Sequence, residues 1–259
     1  MSAAPLLQLD GVTKRFGGLC AVSAARLEVQ AGHAHGIIGP NGAGKTTLFN
    51  LITGIYAPDE GAIRFEGADI AGLRPNQIAA RGIGRTFQNI RLCRDLTVLD
   101  NVRLAYDVRL KSTTWAAMLN LPSHQREERR SIEGSYELLQ SFGLEGFADQ
   151  LAGGLPYGLQ RRLEIARALA LNPRLLLLDE PAAGMNSAET LKLMEFLRWV
   201  RDHFQVTLVL IEHHMKLVMG LCDHITVLDF GVTIADGTPV EIQNNRRVID
   251  AYLGEEVEV

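Results

Sequence analysis

Gly39-Pro40-Asn41-Gly42-Ala43-Gly44-Lys45-Thr46-Thr47 decides the reading of this chain. The stretch matches G-x-x-x-x-G-K-[ST]. It follows the apolar run Gly36-Ile37-Ile38, which predicts a strand, and leads into Thr46 to Ile52, which predicts a helix. That order separates a phosphate-binding loop from its bland alternative, a glycine-rich turn ahead of a core helix. The cradle comprises Asn41, Gly42, Ala43, Gly44, Lys45, Thr46 and Thr47. Its glycines let backbone N–H groups approach phosphate oxygens with no side chain in the way. The helix behind points its unpaired N–H groups and positive dipole end at the same anion. Lys45 adds a full charge for the β- and γ-phosphates, and the Thr46 hydroxyl is a ligand for Mg²⁺.

Outward from this loop, the bulk properties narrow the class. A chain of 259 residues suits one α/β domain with an inserted subdomain, and 47% hydrophobic residues supply a sizeable core. The net charge of −4 gives no global attraction to nucleic acid. Cys20, Cys93 and Cys222 are far apart, without metal-ligand spacing, and are expected as reduced thiols of a cytosolic protein. Met1 to Leu7 has neither a charged start nor a long apolar stretch, so no signal peptide is expected. No run approaches the roughly 20 apolar residues of a membrane helix, so work at a membrane requires docking on other chains.

Upstream, Leu6 to Asp10 and Ala25 to Val29 predict strands of an N-terminal antiparallel sheet, with the Phe16-Gly17-Gly18 turn between them. Phe16 is either a surface loop residue or a stacking partner for a flat base. Downstream, Gly54 ends the first helix and Ala62 to Phe65 returns as a strand. Pro75 to Arg81 suits a short helix, and Ile83 to Phe87 a strand delivering Gln88. From there the pattern turns helical: Val98 to Leu110, an amphipathic Trp115 to Leu121, and a charged helix over Gln125 to Phe142. That last helix carries apolar Ile132, Leu138, Leu139 and Phe142; its run Arg126 to Arg130 reads as a solvated face. Tyr157 to Leu171 completes an inserted helical subdomain spanning 89–171, between core segments 1–88 and 172–259.

Leu175 to Leu178 is apolar at every position, as a parallel strand covered on both faces should be. It ends in Asp179-Glu180, at the carboxyl edge where open parallel sheets bind ligands. Asp179 there can hold Mg²⁺ through water, and Glu180 can polarise a water for in-line attack on a γ-phosphate. The competing reading is a polar strand end before Pro181. Ser187 to Asp202 predicts a helix with a serine cap and early Glu189. Thr207 to Ile211 repeats the buried-strand pattern and delivers His213 to the same edge, with His214 beside it as an alternative. His33 and His35 read as structural or surface residues, not a metal pair. Ile225 to Leu228 and Val232 to Ala235 predict a hairpin, and Pro239 to Leu253 a helical tail.

The phosphate loop, Gln88, Leu155 to Leu159, Asp179-Glu180 and His213 occur in the order of the ATP-binding-cassette ATPases, which the chain resembles over essentially its whole length. Within them it is most similar to the ATP-binding subunits of branched-chain amino acid importers. Three stretches carry this: Gly84 to Arg91, Leu155 to Gly158 with Gln160 to Arg167, and Glu180 to Asn186.

The resemblance implies a P-loop NTPase core with a mainly parallel sheet, using ATP and Mg²⁺. It implies a head-to-tail dimer with an identical or paralogous chain, two membrane permease subunits and, indirectly, a solute-binding protein. It places no nucleic acid among the partners and the chain on the cytoplasmic face of a bacterial inner membrane. Phe16 would stack on adenine with Val22 beside it. Thr46, Gln88 and Asp179 would serve Mg²⁺, and Gln88 would sense the γ-phosphate for a coupling groove near Asn89 to Leu96. Lys45, Gln88, Glu180 and His213 would be the catalytic set, and Tyr157 and Gly158 would reach the partner chain's ATP. Asn186 would lie in the loop facing that partner.

The chain departs from the family at the signature, where Leu155-Pro156-Tyr157-Gly158-Leu159 replaces the common Leu-Ser-Gly-Gly-Gln. Pro156 offers neither hydroxyl nor N–H, whereas Gly158 and the helix N-terminus remain. Systems for urea or lipopolysaccharide would share most of these motifs. A cassette acting in DNA repair or at the ribosome would carry a long coiled coil or a second cassette, and this chain has one phosphate loop and no sustained heptads. A regulatory module without hydrolysis would not need Glu180 and His213.

Overall fold

The computed structural model describes residues 4–107 and 122–253. The segment read at Trp115 to Leu121 and the last residues of the helix read to Leu110 lie outside them. The chain divides into two compact units, Met1–Gln88 with Arg174–Val259, and Asn89–Pro173.

In the first unit, β1 (Leu7–Phe16) and β2 (Leu19–Val29) form a hairpin longer than the pattern predicts. The extra length is irregular. The register slips between Leu9 and Val12 and again before Arg15, so the inside-outside alternation is interrupted and could not be read as strand. Then β3 (Ala34–Ile38) runs buried at every position into α1 (Lys45–Ile52). Gly54 follows α1 with φ +71, the left-handed conformation that suits glycine past a helix end. Next come β4 (Glu60–Phe65), β5 (Ala68–Asp69), α2 (Pro75–Ala80) and β6 (Ile83–Arg85).

The second unit holds α3 (Val98–Asp107), α4 (Pro122–Ser141) and α5 (Tyr157–Ala170), which pack on one another. On α4, Leu138, Leu139 and nearby Phe142 are buried as expected, but Ile132 is 37% exposed. Ser131 and Ser135 take the inner positions instead. Small residues let the helices close up: an added Cβ at Gly134 would strike the Tyr106 ring of α3. A hydrophobicity scale cannot tell a serine chosen for size from one chosen for solubility. Two buried polar knots fix the unit. Asn101 donates to the carbonyls of Cys93 (3.0 Å) and Thr97 (2.9 Å). Arg161 pairs with Glu164 at 2.8 Å, and Glu164 also accepts the Arg91 N–H at 3.2 Å.

The first unit resumes with β7 (Leu175–Asp179), α6 (Ser187–Phe204), β8 (Thr207–Ile211), α7 (Met215–Leu221), β9 (His224–Asp229) and β10 (Val232–Gly237). Two sheets result: antiparallel β2-β1-β4-β5, and β10-β9-β3-β8-β7-β6, parallel from β9 to β6. One continuous core joins them through Leu48, Phe49, Leu51 and Ile52 of α1.

Two expectations are corrected. Asn186, not Ser187, caps α6: its side chain accepts the N–H groups of Ala188 and Glu189 (both 3.0 Å), while Glu189 accepts that of Asn186 (2.9 Å). Either residue type can cap, but only Asn186 sits three before a glutamate, the spacing of a capping box. The tail is not one helix but two, α8 (Pro239–Gln243) and α9 (Arg246–Leu253), because Asn244 and Asn245 interrupt it.

His35 on β3 is buried; Nε2 lies 2.8 Å from Thr226 Oγ1, and its ring is 5.2 Å from that of His224, which pairs with Asp236. Burial lowers its pKa from 6.5 to about 4, partly opposed by Asp236. Folded chains thus keep His35 neutral where unfolded chains protonate it. The stabilisation is complete above the unfolded value and is lost as pH falls toward the folded one, by roughly 3 kcal/mol in all. Urea unfolding at about pH 7 and about pH 5 should show roughly half of this loss, and His35→Gln should flatten the slope. An unchanged slope would refute the assignment.

Candidate functional site

The carboxyl ends of the parallel strands collect the site. Register pairs Asp179 of β7 with Ile211 of β8, and Ile37 of β3 with the same Ile211. The phosphate loop, Glu180 and His213 therefore leave three neighbouring strands at one edge, where α/β sheets bind ligands. They line an open depression of about 400 Å³ formed by Phe16, Leu19, Cys20, Ala21, Asn41, Gly42, Ala43, Gly44, Lys45, Thr46, Thr47, Glu180, His213 and Phe230.

The glycines of the loop divide by role. Gly42 (φ +77) faces open space, as expected for a phosphate approach. Gly39 (φ +147) and Gly44 (φ +95) answer to the protein itself. A Cβ at Gly39 would overlap the Leu228 carbonyl of β9, and one at Gly44 the Ala21 carbonyl of β2. The loop is further tied by Gly231 N–H donating to the Ala43 carbonyl at 3.0 Å. Lys45 is buried, and its Nζ donates to the Gly39 and Pro40 carbonyls, both at 2.7 Å. Behind it, α1 has no side-chain cap and no acidic residue in its first turn. A cationic amine, open helix N–H groups and exposed Thr46 fit a polyphosphate.

Glu180 stands at the centre of the acidic end. Its backbone is left-handed (φ +44), an uncommon conformation for a glutamate. Gln88 Nε2 donates to its Oε2 at 2.6 Å, and His213 Nε2 lies 3.3 Å from its Oε1. Of the two histidines, His213 is the one that reaches Glu180; His214 is the residue from which α7 starts. Gln88 does not line the depression but joins it through Glu180.

Asp179 is 5% exposed, and its Oδ2 accepts from Arg85 Nη2 at 2.8 Å. Arg85 also donates to Asn50 Oδ1 (2.8 Å) and Thr53 Oγ1 (3.1 Å), binding the acidic strand end to α1. Phe16 is 41% exposed, edge-on to Tyr56 at 5.0 Å, with the Lys14 amine 5.5 Å from its ring centre. Val22 departs from expectation: it is fully buried in the core, and its neighbour Ala21 lines the depression instead. The slipped hairpin register turns position 22 inward.

Tyr157 and Gly158 open α5 in the second unit, where Tyr157 is 51% exposed. Pro156 precedes the helix with φ −54, close to the value its ring fixes, and its carbonyl accepts from Leu159 N–H (2.9 Å) and Gln160 N–H (3.0 Å). The proline thus serves the helix start without strain.

Arg85, Glu212 and Phe230 escape the sequence reading. Arg85 had a signal, a charge inside the strand expected to deliver Gln88. Glu212 had one too, an acid at the end of an apolar strand, as at Asp179-Glu180. Phe230, 86% exposed at the β9–β10 turn, had none.

Comparison with known proteins bears on the family. The family model described as ABC transporter matches residues 22–183. A second, described as branched-chain amino acid ATP-binding cassette transporter, matches residues 232–258. The high-affinity branched-chain amino acid transport ATP-binding protein BraF of Pseudomonas aeruginosa is 47% identical over 97% of this chain and 98% of its own. The protein LivG of Escherichia coli, of the same description, is 46% identical over the same shares. Among solved structures, the ADP conformation of MJ1267, an ATP-binding cassette of an ABC transporter, superposes with a TM-score of 0.83 at 30% identity, covering 97% of this chain and all of that one. Phosphate loop, acidic strand end and histidine, met in this order around one depression, and a match over most of its length place the chain in the ATP-binding-cassette transporter ATPase family.

Proposed function

We propose that the chain is the ATP-hydrolysing motor subunit of an importer for branched-chain amino acids, acting through membrane permease subunits. The observation that carries the hydrolytic part is Glu180, fixed between Gln88 (2.6 Å) and His213 (3.3 Å) beside the phosphate loop. The cargo rests on the two relatives, which are nearly half identical to this chain over almost all of it.

In this reading Lys45 exchanges the Gly39 and Pro40 carbonyls for phosphate oxygens, while the loop's N–H groups hold the chain of phosphates. Phe16 stacks on the base, with Ala21 rather than Val22 beside it. Thr46, Gln88 and Asp179 would hold Mg²⁺, which would supply neutralisation of the charge that develops on the phosphate oxygens. Glu180 takes the proton of the attacking water, and His213 steadies the same end. Tyr157 and Gly158 close on the ATP of a second chain, identical or paralogous, and the pair sits on the cytoplasmic face of a bacterial inner membrane. A solute-binding protein completes the system on the far side. No described helix is long and apolar enough to cross a membrane.

Purification of the tagged chain from gently solubilised membranes tests this. Two permease subunits should accompany it, and deletion of its gene should abolish uptake of labelled leucine. Co-isolation with urea or lipopolysaccharide machinery, or unchanged uptake, would overturn the cargo.

A further inference from the structure

Glu212 is almost completely buried, at 1% exposure, between the loop that carries Glu180 and the loop that carries His213. Its two carboxylate oxygens are shared out. Oε1 accepts the Ala182 N–H at 2.7 Å; Oε2 accepts the His213 N–H at 3.0 Å and the His214 N–H at 3.3 Å. Ladder bonding between β7 and β8 runs out just before this point, where Glu180 N–H meets the Ile211 carbonyl at 3.0 Å. Beyond it, the described residues carry no further β7–β8 pairing to hold the two loops at a set separation. Yet the contact of His213 with Glu180 demands one.

A buried carboxylate costs desolvation, and three N–H donors offset it with charge-assisted bonds. A hydroxyl at this place would have a single oxygen for both loops. The two-pronged carboxylate reaches both.

We infer that Glu212 is a positioning residue for ATP hydrolysis, clamping the Glu180 and His213 loops to each other through their backbone N–H groups. It touches no reacting atom. The inference rests on the hydrolytic reading of the site.

The test is Glu212→Gln in the full chain. The amide keeps one acceptor oxygen and turns an NH₂ toward the other loop's donor, so one arm of the clamp opens. Misplacement at a reacting centre lowers turnover on the order of tenfold to a hundredfold. We expect that loss in kcat, with KM for ATP and the Kd of a non-hydrolysable analogue changed less than about twofold, because the phosphate loop is untouched. A purely structural role would instead lower Tm and weaken binding along with turnover. Parental kcat, or equal losses in binding and turnover, would overturn the proposal. Hydrogen exchange on the wild-type chain needs no variant: the Ala182 and His213 amides should exchange slowly. Exchange as fast as in exposed loops would also overturn it. A wild-type chain without ATP turnover would sink the hydrolytic reading, and the exchange arm would still decide whether the clamp exists.

Discussion

Glu180→Gln will bind ATP as the parent does and turn it over at least on the order of a hundredfold more slowly. The substitution preserves shape and leaves the amide oxygen to accept from Gln88, whose Nε2 now lies 2.6 Å from the carboxylate. What vanishes is the basic oxygen beside His213. Lys45, Thr46 and the helix N–H groups lie on the phosphate loop and keep their geometry, so affinity should hold. On the proposed reading, in which binding closes a pair of chains and hydrolysis reopens it, the same variant loaded with ATP should accumulate as a closed dimer. Equilibrium binding, single-turnover hydrolysis and gel filtration separate these steps. Turnover at the parental rate would remove Glu180 from its role as base.

The second large effect concerns folding. Arg85→Met should destabilise the chain by about 3–5 kcal/mol, because it removes the cation paired at 2.8 Å with the buried Asp179 carboxylate. Both side chains of this pair are only 7% exposed, so solvent cannot take over. Arg85 also loses Asn50 and Thr53, and its place 5.0 Å from the Phe87 ring and 5.5 Å from that of Phe49. For a chain of this size the expected fall in Tm is roughly 6–20 °C. Pairing Arg85→Met with Asp179→Asn should recover part of it, since a neutral partner no longer needs a cation. Calorimetry of the three variants measures the recovery. A single variant that melts within about 2 °C of the parent would mean the pair carries little.

What was legible in the sequence is what local pattern encodes. Five consecutive buried positions in β7 and in β8 announce themselves as apolar runs, and the loop before α1 as glycines around a lysine. What stayed hidden needs a partner far along the chain. Arg85 meets Asp179 across 94 positions and Glu212 meets Ala182 across 30, and neither spacing has a local signature. Val22 shows a different limit: resemblance placed it beside the base, but slipped pairing in the hairpin sends it inward. Ile132 shows a third, since its stripe is completed by serines that hydropathy assigns to solvent.

The left-handed glycines at 39 and 44 carry one last implication. Carbonyl groups of β9 and β2 crowd them so closely that folding alone dictates the curve between them. The receptacle for the phosphates is therefore moulded in advance, by backbone carbonyls of two neighbouring strands. Association then freezes little additional backbone, so attraction toward the anion is not spent on ordering the chain that receives it.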